Sequence, residues 1–406
     1  MNKKAIAILG AIFLLIVATL VFLIYQRNSR DNKPADNVAV NNTPQIPDPS
    51  PANNTPSEQN PSDKPVDNGK ANKLSDDGVI SPQLHYDGNG ISYFNVQGQL
   101  FTTDIQISGQ SVFLSNRREL FIPQKSNIAK ILWPKAGNDF IVEFQNGTRK
   151  SWSYYNSEKG AYLDLPAEIR SLDWLPSGQQ IMFVWVDSNG NATLNIANPD
   201  TTGYKQLTDL YEPDNEISVS PDGNSVLFYR TQNNQAQNTL NFVSSDGKVF
   251  KTIVREGFNY GVKWSPDGRR FLFNRRDSGS QQAQLYIGDL SSGEVKNLGV
   301  STIIDKAAWS SAGQSLFVAV PSKGNPEQSL TEDTILKLDL NGGNKEEFDT
   351  GGAVDARTLF LSRNDDKLFF KKPSNACKPF QDLALAFSAS SVRRMVNESA
   401  TSKALM

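Results

Sequence analysis

The stretch that decides the fold is Val262-Lys263-Trp264-Ser265-Pro266-Asp267-Gly268-Arg269-Arg270-Phe271-Leu272-Phe273-Asn274-Arg275. Its centre, Ser-Pro-Asp-Gly, has the residues of a tight β-turn: proline fixes φ, aspartate accepts main-chain hydrogen bonds, and glycine tolerates positive φ. Apolar residues stand on both sides of this turn. The stretch therefore predicts two short strands joined in a hairpin.

The pattern recurs along the chain at a nearly constant interval. Counted at the position of Trp264, the copies stand at residues 84, 133, 174, 219, 264, 309 and 361, so the steps are 49, 41, 45, 45, 45 and 52. A period of this size with several short strands in each copy is typical of a β-propeller. Seven unrelated hairpins would not share one register.

Each complete copy carries two further strands after the hairpin. In the copy that starts at Trp264 they are Gln284–Leu290 and Glu294–Leu298, separated by a Ser-Ser-Gly turn. The copies therefore predict four-stranded blades, with large rings at one repeated position filling the space between neighbours. The predicted structural residues are the turn residues Pro221, Asp222, Gly223, Pro266, Asp267 and Gly268 and the inter-blade tryptophans Trp133, Trp174, Trp264 and Trp309.

The predicted fold class is an all-β propeller over residues 79–388, with seven blades favoured. The last copy has strands only at 358–362, 367–371 and 382–387, so Val79–Ser81 is expected to supply its fourth strand and to close the ring without an exposed sheet edge. Six blades plus an irregular cap is the alternative, because residues 103–124 fit the pattern poorly.

An N-terminal apolar run predicts one transmembrane helix before the propeller. Residues 5–25 are almost continuously apolar, and roughly 20 residues span a bilayer. A cleaved signal peptide is the rival, but its apolar region would be shorter and would end in small residues. We expect an uncleaved signal-anchor with residues 1–4 in the cytoplasm. The protein is then a single-pass cell-membrane protein whose propeller lies on the extracytoplasmic side.

The segments that flank the propeller have other compositions. Residues 31–78 are rich in Asn, Pro, Asp and Ser and poor in apolar residues, which predicts a disordered linker. Residues 389–406 are expected to form a C-terminal tail.

The composition excludes several classes of function. A net charge of −2 disfavours a nucleic-acid partner. The single histidine, His85, and the single cysteine, Cys377, are too few for a Cys/His zinc site or an intramolecular disulfide. No Gly-x-Ser-x-Gly elbow occurs, which disfavours a serine hydrolase. We therefore expect no metal, no cofactor and no catalytic residue.

Two acidic patterns also have simpler explanations than chemistry. Asp187-Ser188-Asn189-Gly190-Asn191 resembles the start of a calcium loop, but the later glutamate is missing and Asn-Gly predicts a hairpin turn. Asp222 and Asp267 occupy a repeat position, which assigns them to the turns.

Two copies carry a family resemblance. Ser220-Pro221-Asp222-Gly223 and Ser265-Pro266-Asp267-Gly268, each followed by an apolar strand, resemble the WD40-like (PD40) repeat of the bacterial TolB-type propeller. The resemblance covers roughly residues 80–388 and is partial in the other copies. It implies a propeller that binds proteins or peptides, here on a membrane-anchored bacterial protein.

Two classes of function remain. The favoured one is a non-enzymatic, membrane-tethered platform that binds a protein, a peptide or an envelope polymer, with Arg269, Arg270, Arg275 and Arg276 free for a partner. The alternative is a propeller hydrolase or lyase with carboxylates at the central channel. Three or more Asp, Glu, Arg or Tyr side chains converging at the channel would favour the alternative.

Overall fold

A computed structural model describes residues 72–75, 78–85, 87–108, 111–147, 149–230, 238–327, 330–348, 350, 352, 354–373 and 381–388. These residues belong to the compact unit formed by residues 58–406. The predicted transmembrane helix at 5–25, the C-terminal tail at 389–406 and Cys377 lie outside the described residues. Within them, no helix has the length and apolar character needed to cross a membrane.

The described strands form seven four-stranded antiparallel sheets. Strand β1, Asn72–Lys73, comes first. Six sheets are then built from four consecutive strands and are called blades 1 to 6. Blade 1 is β2 Val79–Leu84, β3 Gly90–Asn95, β4 Leu100–Ser108 and β5 Ser111–Leu120; blade 2 is β6 Ile128–Leu132, β7 Phe140–Asn146, β8 Arg149–Asn156 and β9 Ala161–Asp164; blade 3 is β10 Ile169–Trp174, β11 Ile181–Val186, β12 Ala192–Ala197 and β13 Lys205–Leu210.

The second half of the chain repeats the same order. Blade 4 is β14 Glu216–Val219, β15 Ser225–Tyr229, β16 Leu240–Ser244 and β17 Phe250–Val254; blade 5 is β18 Phe258–Trp264, β19 Arg270–Arg276, β20 Gln284–Asp289 and β21 Val295–Ser301; blade 6 is a 3₁₀ turn at Ile304–Lys306 followed by β22 Ala307–Trp309, β23 Ser315–Lys323, β24 Glu332–Asp339 and β25 Lys345–Phe348. The predicted all-β propeller of four-stranded blades is therefore confirmed.

The remaining sheet joins the two ends of the described chain and is called the closing sheet. It contains β26 Arg357–Leu361, β27 Lys367–Pro373 and β28 Gln381–Ser388, with β1 paired to β28. Six blades thus consist of consecutive strands, while this sheet is shared between the chain ends. The expected donor of its fourth strand was wrong, because Asn72–Lys73 pairs there and Val79–Leu84 is the first strand of blade 1.

Two sequence boundaries also need correction. Residues 72–75 fall inside the predicted linker, yet Leu74 is only 4% exposed and packs in the core beside the closing sheet. The one apolar side chain near the end of that segment therefore extends the fold before residue 79. Residues 103–124, which fitted the repeat poorly, contain the long outer strands β4 and β5 of blade 1, so they form no irregular cap.

Apolar clusters fill the seven contacts between neighbouring sheets. Between blades 5 and 6, the fully buried Leu272 and Leu316 belong to one cluster. Between the closing sheet and blade 1, Phe369 packs with Ile91. Since every sheet buries both faces against neighbours, the ring is closed by hydrophobic contact.

Each of the four repeated tryptophans forms a hydrogen bond that links its own blade to the preceding one; this contact is called the tryptophan clasp. The indole N–H of Trp264 donates to the carbonyl of Ser218 at 3.2 Å, and that of Trp309 donates to Lys263 at 3.2 Å. Trp174 and Trp133 do the same toward Leu132 and Ser81, each at 2.9 Å. A buried indole N–H is stabilised by an acceptor, so the ring both fills the interface and fixes the height of one blade on the next.

The turns between first and second strands lie together on one end of the propeller, called the turn face. Asp267 accepts hydrogen bonds from Ser265 Oγ at 2.6 Å and from the Arg269 N–H at 3.2 Å, and Gly268 has φ +73°. Asp222 and Gly223 repeat this arrangement. The segments between blades lie on the opposite end, called the connection face.

Candidate active site in the central channel

The first strands of the sheets surround the axis of the ring, and charged side chains concentrate there. Three acidic and four basic residues belong to this group, and mutual electrostatic effects link most of them across the channel; the group is Lys130, Asp173, Glu216, Lys263, Asp305, Arg357 and Lys371. They come from blades 2 to 6 and from the closing sheet. The ring therefore brings together residues that are up to 241 positions apart in the chain (371 minus 130).

Lys263 is the central lysine of this group. Its Nζ donates to the carbonyl of Ala307 in the next blade at 2.6 Å. Burial lowers the pKa of Lys263, the carboxylate of Asp305 opposes that shift, and the charge of Lys130 adds to it. Loss of hydration disfavours the ammonium form, so Lys263 is shifted toward a free amine.

The pKa of Asp173 is shifted upward, in the direction opposite to that of Lys263. Its Oδ2 accepts the main-chain N–H of Val219 at 2.9 Å, and its Oδ1 accepts the N–H of Trp174 at 2.9 Å. Burial raises the pKa of Asp173 and outweighs these hydrogen bonds and the charges of Lys130 and Lys135. This carboxyl group is therefore shifted toward its protonated form.

A third group lies where blade 6 meets the closing sheet. Arg357 and Lys371 are opposite each other on β26 and β27. Asp305 Oδ1 accepts a hydrogen bond from Thr358 Oγ1 at 3.1 Å. Burial lowers the pKa of Lys371, Asp305 opposes the shift, and the charge of Arg357 reinforces it.

Glu216, the blade 4 member of this group, is held in an ion pair. Its Oε1 lies 2.5 Å from Lys150 Nζ, which also lies 3.6 Å from Glu143 Oε1. Ser171 Oγ donates to Glu216 Oε2 at 3.1 Å. The two glutamates raise the pKa of Lys150 against its burial. Both carboxylates thus share one lysine, and Glu216 is also held by Ser171.

Several residues singled out in the sequence lie elsewhere. Asp222 and Asp267 stay in the turns, away from the channel chemistry. His85 Nε2 is within 2.9 Å of Ser92 Oγ and 3.1 Å of Thr102 Oγ1, inside blade 1. Asp187 accepts the N–H groups of Asn189 and Asn191 at 2.9 and 2.8 Å, which is a turn.

The arginines expected to be free for a partner are mostly engaged. Arg270 donates to the carbonyl of Gly313 at 2.7 Å. Arg275 pairs with Asp277 at 2.7 Å, and its guanidinium lies over the ring of Tyr286. Arg276 lies 5.8 Å from the ring centroid of Phe258. That expectation was therefore wrong for these three residues, while Arg269 is exposed.

A groove of about 550 Å³ lies at the rim, between the outer strands of blades 5 and 6. Its two turn aspartates, Asp289 and Asp339, accept hydrogen bonds from their own turns, which lower the pKa of each. Lys263, Lys371 and Asp173 do not line this groove. The channel, not the groove, therefore carries the candidate chemistry.

One position in the repeat does carry information about the channel residues. The residue before the repeated tryptophan changes from copy to copy: it is Leu132, Asp173, Ser218, Lys263 and Ala308 in blades 2 to 6. Lys263 stands in the very stretch that decides the fold. A buried charge is costly unless it is paired or hydrogen-bonded, but one sequence does not show which face of the strand carries this position.

Comparisons with known proteins show a fold and no family. No protein-family model matches the chain. No curated protein matches its sequence. The TolB-type resemblance accordingly stands as a likeness of fold.

Solved structures share the propeller at low identity. An oligogalacturonate lyase from Vibrio parahaemolyticus is 10% identical, with 79% of this chain and 93% of that chain covered and a TM-score of 0.56. An oligogalacturonate lyase in complex with manganese is 11% identical, with the same coverage and a TM-score of 0.53. The Cps50 (Swd1) β-propeller domain of Myceliophteria thermophila is 11% identical, with 78% and 98% covered and a TM-score of 0.52. A TolB structure from Acinetobacter baumannii is 15% identical, with 78% of each chain covered and a TM-score of 0.40.

These likenesses and the channel correct the favoured interpretation of the sequence. Two of the similar propellers are described as lyases, and charged side chains converge at the channel, which was the stated sign of the alternative. The non-catalytic binding platform is therefore contradicted, and the hydrolase or lyase alternative accounts better for the structure. Among the described residues no three His, Cys, Asp or Glu side chains are grouped as metal ligands.

Proposed function

We propose that the protein is a lyase that cleaves a carboxylate-bearing oligosaccharide by β-elimination in its central channel. The observation that carries the proposal is that Lys263, shifted toward a free amine, and Asp173, shifted toward a protonated acid, both lie close enough to Lys130 for its charge to act on them. Titratable groups pushed toward opposite forms are the arrangement that acid–base catalysis needs. This proposal replaces the expectation that the chain is not an enzyme.

The charges of the channel favour an acidic substrate. Lys130 and Arg357 supply positive charge, while the shift of Asp173 toward its neutral form removes one opposing carboxylate. A narrow channel with protein walls strengthens the attraction of such groups for a carboxylate. The oligogalacturonate named for the similar lyases is a substrate of this chemical class.

The proposed step uses two groups of the chain. Lys263 Nζ takes the proton from the carbon next to the substrate carboxylate, and the electron pair left behind forms a carbon–carbon double bond as the bond to the glycosidic oxygen breaks. Asp173 gives its proton to the departing oxygen. Cationic side chains stabilise the negative charge that builds up on the carboxylate during proton removal.

A lyase suits the channel better than a hydrolase. Glycoside hydrolysis typically needs two carboxyl groups, one as acid and one as base or nucleophile. Here Glu216 is held by Lys150 and by Ser171, and Asp173 is shifted toward the acid form. The group best suited to act as the base is an amine.

The mass of the products tests the proposal. The purified chain is incubated with a 4-linked galacturonate oligomer, and the products are weighed by mass spectrometry. Elimination gives products whose masses sum to that of the substrate, whereas hydrolysis adds one water. Products that carry the added water would refute the lyase, and no products from any uronate oligomer would refute the proposal as a whole.

The location of the enzyme stays a prediction from the sequence. The apolar run at residues 5–25 supports a single-pass anchor in the cell membrane with the propeller on the extracytoplasmic side. A protein partner stays a prediction as well. An envelope or environmental glycan would be within reach of an enzyme placed there.

A further inference from the structure

The groove between blades 5 and 6 lies between an outer strand and an outer hairpin. One wall is β21 of blade 5, which contributes Lys296, Asn297 and Leu298. The other wall is the outer hairpin of blade 6 around the turn between β24 and β25, residues 338–345. The volume of about 550 Å³ falls in the range of roughly 300–1,000 Å³ that small-molecule sites occupy. The groove can therefore admit a ligand of the size of a short oligosaccharide.

The more buried part of the groove lining is apolar, and the exposed part carries amides. Leu338 is buried in the core cluster between blades 5 and 6, and Leu298 and Leu340 pack against that cluster. Asn341 and Asn344 line the groove and are exposed. A sugar ring has apolar C–H faces and hydroxyl edges, and an amide can both donate to and accept from a hydroxyl. The lining therefore matches both parts of a sugar ring.

The charges that line the groove balance one another. Three basic and three acidic side chains contribute to the lining: Arg270, Lys296, Lys345, Asp289, Glu294 and Asp339. Hydrogen bonds from their own turns lower the pKa of Asp289 and of Asp339, so both are ionised at neutral pH. A lining without net charge gives no overall attraction to a carboxylate, and its own carboxylates repel one that comes near. The groove thus suits an uncharged sugar, whereas the channel has the positive charge of Lys130 and Arg357.

We propose that this groove is a second saccharide site, which binds an uncharged sugar unit such as a uronate whose carboxyl group is esterified. The turns that form its walls are held by hydrogen bonds of their own: Asp339 accepts the N–H of Asn341 at 2.9 Å, and Asp289 accepts that of Ser291 at 2.8 Å. Walls that are ordered before the ligand arrives lower the entropic cost of binding. The choice of a uronate polymer rests on the proposed function. A polymer with both acidic and esterified units is then bound at two places on the propeller.

Calorimetry with two forms of one oligomer tests the second site. The probe is a fully methyl-esterified galacturonate oligomer, compared with the same oligomer as the free acid, on wild type, Asn341→Leu and Asn189→Leu. Asn189 is the matched control, because both asparagines are exposed and donate their N–H to the aspartate two residues earlier at 2.9 Å, but of the two only Asn341 lines the groove. We expect the wild type to bind the ester, Asn341→Leu to raise the Kd of the ester about fivefold because hydrogen bonds of the amide are lost, and Asn189→Leu to leave that Kd unchanged.

The outcomes separate this inference from the function on which it rests. A wild type that does not bind the ester, an Asn341→Leu variant that keeps the wild-type Kd, or an equal loss in Asn189→Leu overturns the groove site. An equal rise in the Kd of the free acid for Asn341→Leu overturns the preference for an uncharged sugar. The rate of elimination on the free acid is measured in parallel, and Asn341→Leu is expected to keep the wild-type rate. A wild type that binds the ester through Asn341 but eliminates nothing refutes the proposed function and supports the second site.

Discussion

The main-chain N–H of Val219 in blade 4 donates a hydrogen bond to Asp173 Oδ2 in blade 3, across 2.9 Å. Among blades 2 to 6, blade 4 alone has a valine, Val219, at the position where the other four have the repeated tryptophan. A carboxyl group thus makes the inter-blade bond at the contact where no indole is available. The departure from the repeat at Val219 places a titratable group in the channel.

The first prediction concerns the stability of the fold as a function of pH. The pKa of Asp173 is raised in the folded protein, so the folded state holds this proton more tightly than the unfolded state. Its contribution to stability is present below the ordinary value of 3.8 and is lost as pH rises through the raised value. We expect Asp173→Asn, which stays neutral, to gain stability relative to wild type over that window in urea titrations.

Asp222 is the control for this prediction. Its hydrogen bonds with Ser220 and Asn224 lower its pKa against burial, so its contribution is present above 3.8 and is lost as pH falls through the lowered value. Asp222→Asn should therefore lose stability relative to wild type at neutral pH. The same sign for both variants would contradict the raised pKa of Asp173.

The second prediction concerns the reactivity of Lys263. Only the free amine reacts with a neutral acylating reagent, so the modification rate follows deprotonation. The rate at Lys263 should level off at a lower pH than the rate at the exposed Lys205, as measured by mass spectrometry of peptides. Because Asp305 opposes the shift and Lys130 adds to it, Asp305→Asn should move the midpoint down and Lys130→Met should move it up. Midpoints that do not move would show that these charges do not act on Lys263.

The third prediction concerns the tryptophan clasp. Trp264→Phe keeps a ring in the interface but leaves the carbonyl of Ser218 without its indole donor. Trp152 is the matched control, because it is buried and its indole N–H has no acceptor among the described residues. We expect Trp264→Phe to lower the free energy of unfolding by about 1 kcal/mol more than Trp152→Phe. Equal losses would mean that the repeated indole acts through its volume alone.

The fourth prediction concerns the Pro-Asp-Gly turns. Gly268 has φ +73°, and a Cβ there would come within 3.0 Å of Asp222 Oδ1 in the neighbouring turn. Gly190 has φ +84°, and a Cβ there would meet nothing within 4 Å. Both Gly→Ala changes cost about 1 kcal/mol for the left-handed backbone, and Gly268→Ala costs about 1 kcal/mol more for the contact. Thermal unfolding of the two variants separates the backbone contribution from that of the Cβ contact. A loss of stability in Gly190→Ala as large as that in Gly268→Ala would rule out a contribution from the contact.

Much of the fold could be predicted because it repeats. Trp264 and the turn after it recur with a period that leaves little alternative to a ring of blades. The closing sheet was harder, because its fourth strand is only Asn72–Lys73, two polar residues at the end of a linker-like segment. Backbone pairing that involves no apolar pattern leaves little signal in a sequence.

The candidate site could not be predicted in the same way. Lys263 and Asp173 each stand next to a repeated tryptophan, where one sequence gives no reason to separate them from solvated surface residues. Their shifts arise from burial and from Lys130 and Asp305, which only ring closure brings near. Chemistry of this kind depends on contacts between blades and not on a local motif.

The most direct test of the channel lyase follows the unsaturated product itself. A galacturonate oligomer is mixed with wild type, with Lys263→Met and with Lys205→Met, and the short-wavelength ultraviolet absorbance of the new carbon–carbon double bond, conjugated with the carboxylate, is recorded over time. We expect wild type and Lys205→Met to produce the absorbance at equal rates, and Lys263→Met to lose at least a hundredfold in rate, as expected for removal of a general base. A Lys263→Met variant that folds and keeps the wild-type rate would contradict the account.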